Sequence, residues 1–258
     1  MAIITLTSDW GLKDHYLGVV KGKLYKQLPG VRIVDVSHQV PPFNSVQAAF
    51  ILKNCYRDFP DGTVHILAVN TEESDKNPHT VVYADKQYFI GTDDGIFSII
   101  LEKQPEKIIE LTIPQDSDLF TFSTRDRFIK TAIHLAQNKK LEELGNQRKQ
   151  LNQKLTFQPV TSKDVIKGMV IYVDNYENVI SNISKELFDK IGGNRPFNIV
   201  LRGETLTTLY QSYTDVPVGE IVGLFNTSGL LEIAINQGNA SSLLGLYLDD
   251  TVRIEFGG

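Results

Sequence analysis

The sequence predicts an α/β N-terminal domain with a mostly parallel sheet, followed by a small all-β C-terminal domain built as a barrel or a sandwich. In the first half of the chain, short apolar runs alternate with helical segments, a pattern typical of β-α-β crossovers. From Gly168 onward, short β-type runs are separated by Gly and Asn, which favours an antiparallel domain. We therefore predict two domains, residues 1–160 and 161–258.

Apolar periodicity defines the elements of the N-terminal domain. We predict strands at residues 3–7, 32–36, 63–69, 80–84 and 87–91, and helices at 14–28, 45–56 and 128–137. Pro29 and Gly30 end the first helix, and Ser45 is the expected N-cap of the second. Residues 139–156 are polar and rich in Gln, so we expect a connecting segment there rather than a core element.

The C-terminal domain is predicted from six short β-type runs. They lie at residues 169–173, 179–183, 197–201, 221–225, 231–236 and 251–256. Their length and spacing are typical of a small barrel or sandwich.

Polar pairs follow the first three strands of the N-terminal domain. They are Ser8 with Asp9, Ser37 with His38, and Asn70 with Thr71. Ligands of open parallel sheets bind just beyond the carboxyl ends of the strands. We therefore expect these side chains to meet in one polar crevice.

Composition excludes several classes of partner. The net charge of −5 gives no electrostatic reason to bind nucleic acid. The chain has no positive leader and no uncharged stretch of about 18 residues, so we expect a cytoplasmic protein without a membrane span. The carboxylates of Glu72 and Asp75 lack His or Cys partners, and we expect no metal there.

Five blocks of sequence resemble one known family in order and spacing. They begin with SDWGLKDHYLGVV and continue through FPDGTVHILAVN, TFSTRDRF, YVDNYENVISNI and NTSGLLEIAINQGNAS. Together they are similar to the S-adenosylmethionine hydroxide adenosyltransferase, fluorinase and chlorinase family. The resemblance implies the two-domain fold predicted above and S-adenosylmethionine as substrate or ligand. It also implies a homotrimer with each ligand site between subunits.

In the first domain, the resemblance identifies Asp9 as the residue that grips the ribose hydroxyls, which suits a carboxylate accepting two hydrogen bonds. From the residues alone, a turn or helix cap is the favoured interpretation of Asp9. Phe43 matches an aromatic wall beside the reacting carbon, although its position before a helix also favours a hydrophobic staple. Thr124 is a further ligand-binding position implied by the resemblance.

In the second domain, the resemblance implies that Asp174 holds the polar end of the ligand and that Asn178 contacts an adenine edge. The alternative for this pair is a hairpin turn. Tyr213 matches an aromatic that stacks on adenine. The remaining implied positions are those that cradle the methionine carboxylate, Asn226, Thr227 and Ser228, together with Ala240.

Three positions depart from the family pattern. Water-using members carry an aspartate, an arginine and a histidine where this chain has Asn70, Asn77 and Ser123. None of these three replacements can serve as a general base, and losing one commonly costs about 10²- to 10⁴-fold in rate. His79 is a possible substitute base, but a surface histidine after Pro78 is the more common outcome.

These observations lead to three functional hypotheses. The first is hydrolysis of S-adenosylmethionine at ribose C5′ to adenosine and L-methionine. The second is a catalytically degenerate protein that binds an adenosyl ligand or nucleoside. Halogenation ranks lower, because the acidic residues 72–75 would repel a halide.

Overall fold

The computed structural model describes residues 2–101 and 103–257. The chain divides into two compact units that meet between Leu155 and Thr156. Within the described residues, no helix is both long enough and apolar enough to cross a membrane. Each unit is described by itself below.

The first unit contains a seven-stranded sheet with helices on both faces. Its strands are β1 (Ile3–Ser8), β2 (Arg32–Ser37), β3 (Val64–Ala68), β4 (His79–Ala84), β5 (Gln87–Thr92), β6 (Lys107–Leu111) and β7 (Gly145–Gln147). Its helices are α1 (Tyr16–Gln27), α2 (Ser45–Lys53), α3 (Ile96–Ile100) and α4 (Ile129–Ala136). The N-cap of α2 is Asn44, whose side chain accepts a hydrogen bond from the Gln47 N–H at 3.0 Å, and not Ser45 as expected.

The sheet is parallel only in part. Its strand order is β2-β1-β3-β5-β4-β6-β7, and the pairs from β2 to β5 are parallel while the rest are antiparallel. Only Asp85 and Lys86 separate β4 from β5, and both have positive φ. A two-residue connection of this kind closes an antiparallel hairpin, whereas a parallel pair needs a long crossover. The expectation of a mostly parallel sheet was therefore too broad.

Side chains of the central strands alternate between two apolar cores. Ile66 and Ile90 face the core beneath α1 and α4, whereas Leu67 and Phe89 face the core beneath α2 and α3. Strands buried on both faces are typical of a sheet covered by helices on each side. This burial fixes the strand register, and with it the position of the residues that follow each strand.

A fully buried histidine links three strands of this sheet. His65 lies on β3, and its Nδ1 is 2.7 Å from Thr5 Oγ1 on β1. Its Nε2 is 2.5 Å from Gln87 Oε1, which accepts the imidazole proton, on β5. Burial lowers the pKa of His65 to about 4, since no solvent stabilises the charged ring.

Residues 139–155 are part of the core, contrary to expectation. Leu141, Leu144 and Leu151 are buried, and β7 in this segment pairs with β6 at the sheet edge. Most polar residues between these leucines are exposed, whereas Arg148 donates a hydrogen bond to the buried Asp93. The segment was misjudged because its apolar residues are widely spaced.

The second unit is dominated by an eight-stranded antiparallel sheet. Its strands are β8 (Val160–Thr161), β9 (Val165–Val173), β10 (Val179–Ser184), β11 (Phe197–Val200), β12 (Thr205–Leu206), β13 (Ile221–Phe225), β14 (Leu230–Ile235) and β15 (Thr251–Phe256). The N-terminal half of β9 pairs with β15 and its C-terminal half with β10. A Cβ on Gly168, where the partner strand changes, would lie 2.5 Å from Asn182 Oδ1 and from Ile183 Cγ1.

The second unit is not all β. Helix α5 (Lys185–Gly192) begins at Ser184, whose hydroxyl accepts the Leu187 N–H at 3.1 Å, and buries Phe188 in the core. Helix α6 (Ala240–Leu244) follows β14. The Ser cap before an amphipathic stretch is a sequence signal that the analysis of β-type runs overlooked.

Candidate functional site

Three polar side chains lie at the carboxyl ends of β1, β3 and β5. These strands are adjacent and parallel, so the residues that follow them share one edge of the sheet. Asp9 follows β1, Asn70 follows β3, and Asp94 follows β5. Asp94 was not predicted as a site residue, although the rule that identified the other two applies equally to the end of β5.

Asp9 holds the backbone that carries Phe43. Its Oδ2 accepts the Phe43 N–H at 2.9 Å. Phe43 has a left-handed backbone (φ 63°), and the residue is 75% exposed. The ring is therefore not the hydrophobic staple that its position favoured. An exposed aromatic on strained backbone is a feature that folding alone does not explain.

Asp94 joins this rim to Asn70. The donors to its Oδ2 are Ser45 Oγ at 2.5 Å, Asn70 Nδ2 at 3.3 Å and Lys154 Nζ at 3.3 Å. Its Oδ1 accepts the Ile96 N–H at 3.2 Å. The Ser45 N–H also donates to the Phe43 carbonyl oxygen at 3.1 Å. Hydrogen bonds therefore connect Asp9 to Asn70 without a break.

A second polar chain lies behind Asp9. Ser8 Oγ is 2.7 Å from His38 Nδ1, and His38 Nε2 is 3.0 Å from Asp35 Oδ1. These are the three residue types of a nucleophilic triad, but Ser8 is fully buried. These contacts therefore fix the ends of β1 and β2. They also confirm the expectation that the polar residues after these two strands meet, since Ser8 contacts His38.

Asp93 anchors the segment that carries Lys154. It is fully buried, and its Oδ2 accepts hydrogen bonds from Arg148 Nη1 at 2.8 Å and from the Asn152 N–H at 3.0 Å. Burial raises the pKa of Asp93, although both donors oppose that change.

A carboxylate, a guanidinium and an imidazole meet beside the same sheet edge. Arg127 Nη1 donates to both carboxylate oxygens of Glu73, at 2.7 and 2.6 Å, and lies 3.0 Å from His79 Nδ1. His79 Nε2 donates to the Thr71 carbonyl oxygen at 3.0 Å. His79 is fully buried, so the expectation of a surface histidine is wrong, and burial lowers its pKa. A neutral imidazole with both nitrogens engaged has no free site for a proton from water.

The other family positions in the first unit are structurally engaged. Asn77 closes a turn with Ser74, since the Asn77 N–H donates to the Ser74 carbonyl oxygen at 3.0 Å. Ser123 precedes a π-helical turn at Thr124–Phe128, and its hydroxyl accepts a hydrogen bond from Gln115 Nε2 at 3.5 Å. Thr124 is fully buried, and its hydroxyl has no protein partner among the described residues. Ligand contact by Thr124 stays a prediction.

In the second unit, Asp174 and Asn178 form a closed turn. Asp174 Oδ1 accepts the N–H groups of Tyr176 and Asn178, both at 2.8 Å, and its Oδ2 accepts Asn178 Nδ2 at 3.0 Å. Glu177 ties this turn to the start of α6, because its carbonyl oxygen accepts the Ser241 N–H at 2.9 Å. The turn is thereby fixed next to the buried Ala240.

Glu232 organises the remaining positions of the second unit, and sequence reasoning did not identify it. This buried carboxylate accepts Tyr213 Oη at 2.7 Å and Asn226 Nδ2 at 3.1 Å. Burial and the hydrogen bond to Glu232 raise the pKa of Tyr213, and Asp174 contributes to the rise. Thr227 and Ser228 are exposed in the loop that Asn226 stabilises.

Metal ligation has no structural support in the described part of the chain. Between residues 2 and 257, with residue 102 left aside, no group of three or more His, Cys, Asp or Glu residues could hold a metal ion.

Known proteins resemble this chain over nearly its whole length. It is 28% identical over 268 aligned positions to a protein named (R)-S-adenosyl-L-methionine hydrolase from Thermus thermophilus, covering 98% of this chain and 100% of the relative. A protein of the same name from Methanocaldococcus jannaschii is 26% identical, covering 96% and 94%. A protein named fluorinase from Nocardia brasiliensis is 24% identical, covering 99% and 97%.

A solved structure and two family models also match this chain. The crystal structure of an uncharacterized conserved protein from Thermotoga maritima superposes with a TM-score of 0.87 at 29% identity, covering 98% of this chain and 99% of the other. Models described as the SAM hydroxide adenosyltransferase N-terminal and C-terminal domains match residues 4–145 and 168–253. The chain therefore belongs to the SAM hydroxide adenosyltransferase family.

Proposed function

We propose that this protein binds S-adenosylmethionine and hydrolyses it to adenosine and L-methionine. A water oxygen forms a bond to ribose C5′, and the C5′–S bond breaks with its electron pair staying on sulfur. One proton of the water is released to solvent. Because the sulfonium is already a good leaving group, alignment and exclusion of bulk water are the main tasks of the protein.

The observation that carries this proposal is the continuous network from Asp9 to Asn70 at the parallel strand ends of a chain from this family. Asp9 Oδ2 accepts the Phe43 N–H, and Oδ1 has no donor among the described residues, so Oδ1 can accept from a ribose hydroxyl. The exposed Phe43 ring supplies the apolar wall beside the reacting carbon. Thr124 is a further contact in this unit.

We propose that the second unit of a neighbouring subunit completes the ligand site. Asn178 contacts the adenine edge, Tyr213 stacks on the base, and Asp174 holds the polar end. The methionine carboxylate and the remaining contacts are assigned to Asn226, Thr227, Ser228 and Ala240. We also propose that the protein is a homotrimer and acts in the cytoplasm, without nucleic acid or a resident metal.

A second candidate is a catalytically inactive protein that binds an adenosyl ligand. It is favoured by Asn70, Asn77 and Ser123, none of which can deprotonate water at neutral pH, and by the engaged ring of His79. A halogenase ranks lower, because the exposed carboxylates of Glu72 and Asp75 would repel a halide.

The test measures adenosine by chromatography and ligand affinity by calorimetry. We expect the wild-type protein to form adenosine, and we expect Asp9→Ala to weaken adenosine binding about 10- to 100-fold through lost charge-assisted hydrogen bonds. The matched control is Asp61→Ala, which removes an exposed carboxylate paired with Lys86 and should leave affinity unchanged. Binding without turnover would support the second candidate, and no binding of either ligand would overturn both.

A further inference from the structure

Asp94 provides a carboxylate beside an amide that faces the crevice. Asn70 Nδ2 donates to Asp94 Oδ2 at 3.3 Å. Among the described residues, no donor is recorded for Asn70 Oδ1. Asn70 also has a left-handed backbone (φ 51°), a conformation that Asn and Asp tolerate better than other side chains.

We propose that Asp94 is a positioning residue that fixes the Asn70 amide and supplies the negative charge that position 70 lacks. The proposal rests on the hydrolase function above. An amide has one donor end and one acceptor end, and a flipped Asn70 would place two acceptors against each other. The carboxylate therefore determines the orientation, and Asn70 Oδ1 is presented to the attacking water.

The charge of Asp94 also acts through the amide. A hydrogen bond to a carboxylate polarises the Asn70 side chain, so its carbonyl oxygen becomes a stronger acceptor for the hydrogen of the attacking water. Asp94 does not need to remove the proton itself. Its own oxygens are held by Ser45, Lys154 and the Ile96 N–H, so it is fixed before any ligand binds.

The competing explanation is that Asp94 only anchors Lys154 to the sheet. In that case charge at position 94 matters for stability and not for turnover. A reciprocal exchange distinguishes the positioning role from the anchoring role. The double substitution Asn70→Asp and Asp94→Asn keeps one carboxylate and one amide in the pair but swaps their positions. Aspartate also tolerates the left-handed backbone of position 70.

The experiment compares the wild type, D94N, N70D and the N70D/D94N double variant, with D61N as control. We expect D94N to lower kcat for adenosine formation about 10- to 100-fold while adenosine affinity stays within about threefold, since Asp9 is unchanged. The kcat of the double variant should be at least about tenfold higher than the kcat of D94N. N70D alone places two carboxylates next to each other. Its profile of kcat against pH should therefore show an added ionisation, with a pKa above that of an ordinary carboxyl group. Wild-type kcat in D94N, or no recovery in the double variant, would overturn the proposal.

A second measurement keeps this proposal separate from the hydrolase function. The side-chain NH2 resonances of Asn70 are assigned by ¹⁵N NMR from their loss in N70D. They should shift in D94N and remain in place in D61N. If the wild type forms no adenosine but this shift occurs, the proposed function fails and the positioning role stands. Unchanged resonances in D94N would refute the positioning role whatever the activity.

Discussion

His65→Gln should make the protein less sensitive to acid. The folded-state pKa of His65 is about 4, whereas its ordinary value is 6.5. Between these values the unfolded chain binds a proton that the folded chain does not. The stability due to neutral His65 is therefore fully present above pH 6.5 and is lost as the pH falls toward 4.

The pKa difference gives the size of the effect. At about 1.4 kcal/mol per unit, the free energy of unfolding should fall by about 2 kcal/mol at pH 5 and about 3 kcal/mol at pH 4 through this residue. Glutamine does not titrate, so H65Q should lack this part of the loss, whatever its stability at neutral pH. Urea denaturation of both proteins from pH 7.5 to 4 measures the difference.

The control is Gly22→Ala on α1, because this substitution changes no titratable group. Its pH dependence should follow that of the wild type. Parallel stability curves for H65Q and the wild type would show that folding does not lower the pKa of His65, and the reasoning from burial would be wrong.

Two further predictions concern packing and the rim. Gly168→Ala should destabilise the protein by about 1–3 kcal/mol, because its Cβ would meet Asn182 and Ile183. Gly22→Ala, on α1 with nothing within 4 Å of the new Cβ, should stabilise it by about 0.5–1 kcal/mol, and thermal melts of the two variants check both signs. Phe43→Ala should leave the melting temperature within about 2 °C while weakening S-adenosylmethionine binding at least about tenfold, since the ring is exposed. Unaltered affinity by calorimetry would remove Phe43 from the site.

Much of the fold followed from periodicity, because apolar runs report burial directly. The strands from β1 to β5 and helices α1, α2 and α4 lie close to their predicted positions. The expectation of a mostly parallel sheet gave no weight to the two-residue turn at Asp85 and Lys86, which makes β4 antiparallel to β5. Strands β6 and β7 were missed, since β7 has three residues and its pairing depends on distant β6.

Part of the candidate site could be predicted, because the order of parallel strands determines which residues lie near each other. Asp9 and Asn70 were found because residues after parallel strands share an edge. Glu232 was missed because its role comes from a partner distant in sequence, Tyr213. Asp94 could have been predicted from the same rule, since it follows the end of β5. The burial of His79 beneath Arg127 likewise depends on tertiary contacts that no local pattern encodes.

Backbone strain at the rim gives stability and the proposed ligand contacts opposite preferences at the same positions. Phe43 and Asn70 both have left-handed φ, and glycine would adopt that geometry at lower free energy. A library screened for heat tolerance alone would drift toward glycine at positions 43 and 70. Such thermostable descendants would lose the aromatic ring and the oriented amide, so laboratory evolution of this protein requires selection on ligand capture in every round.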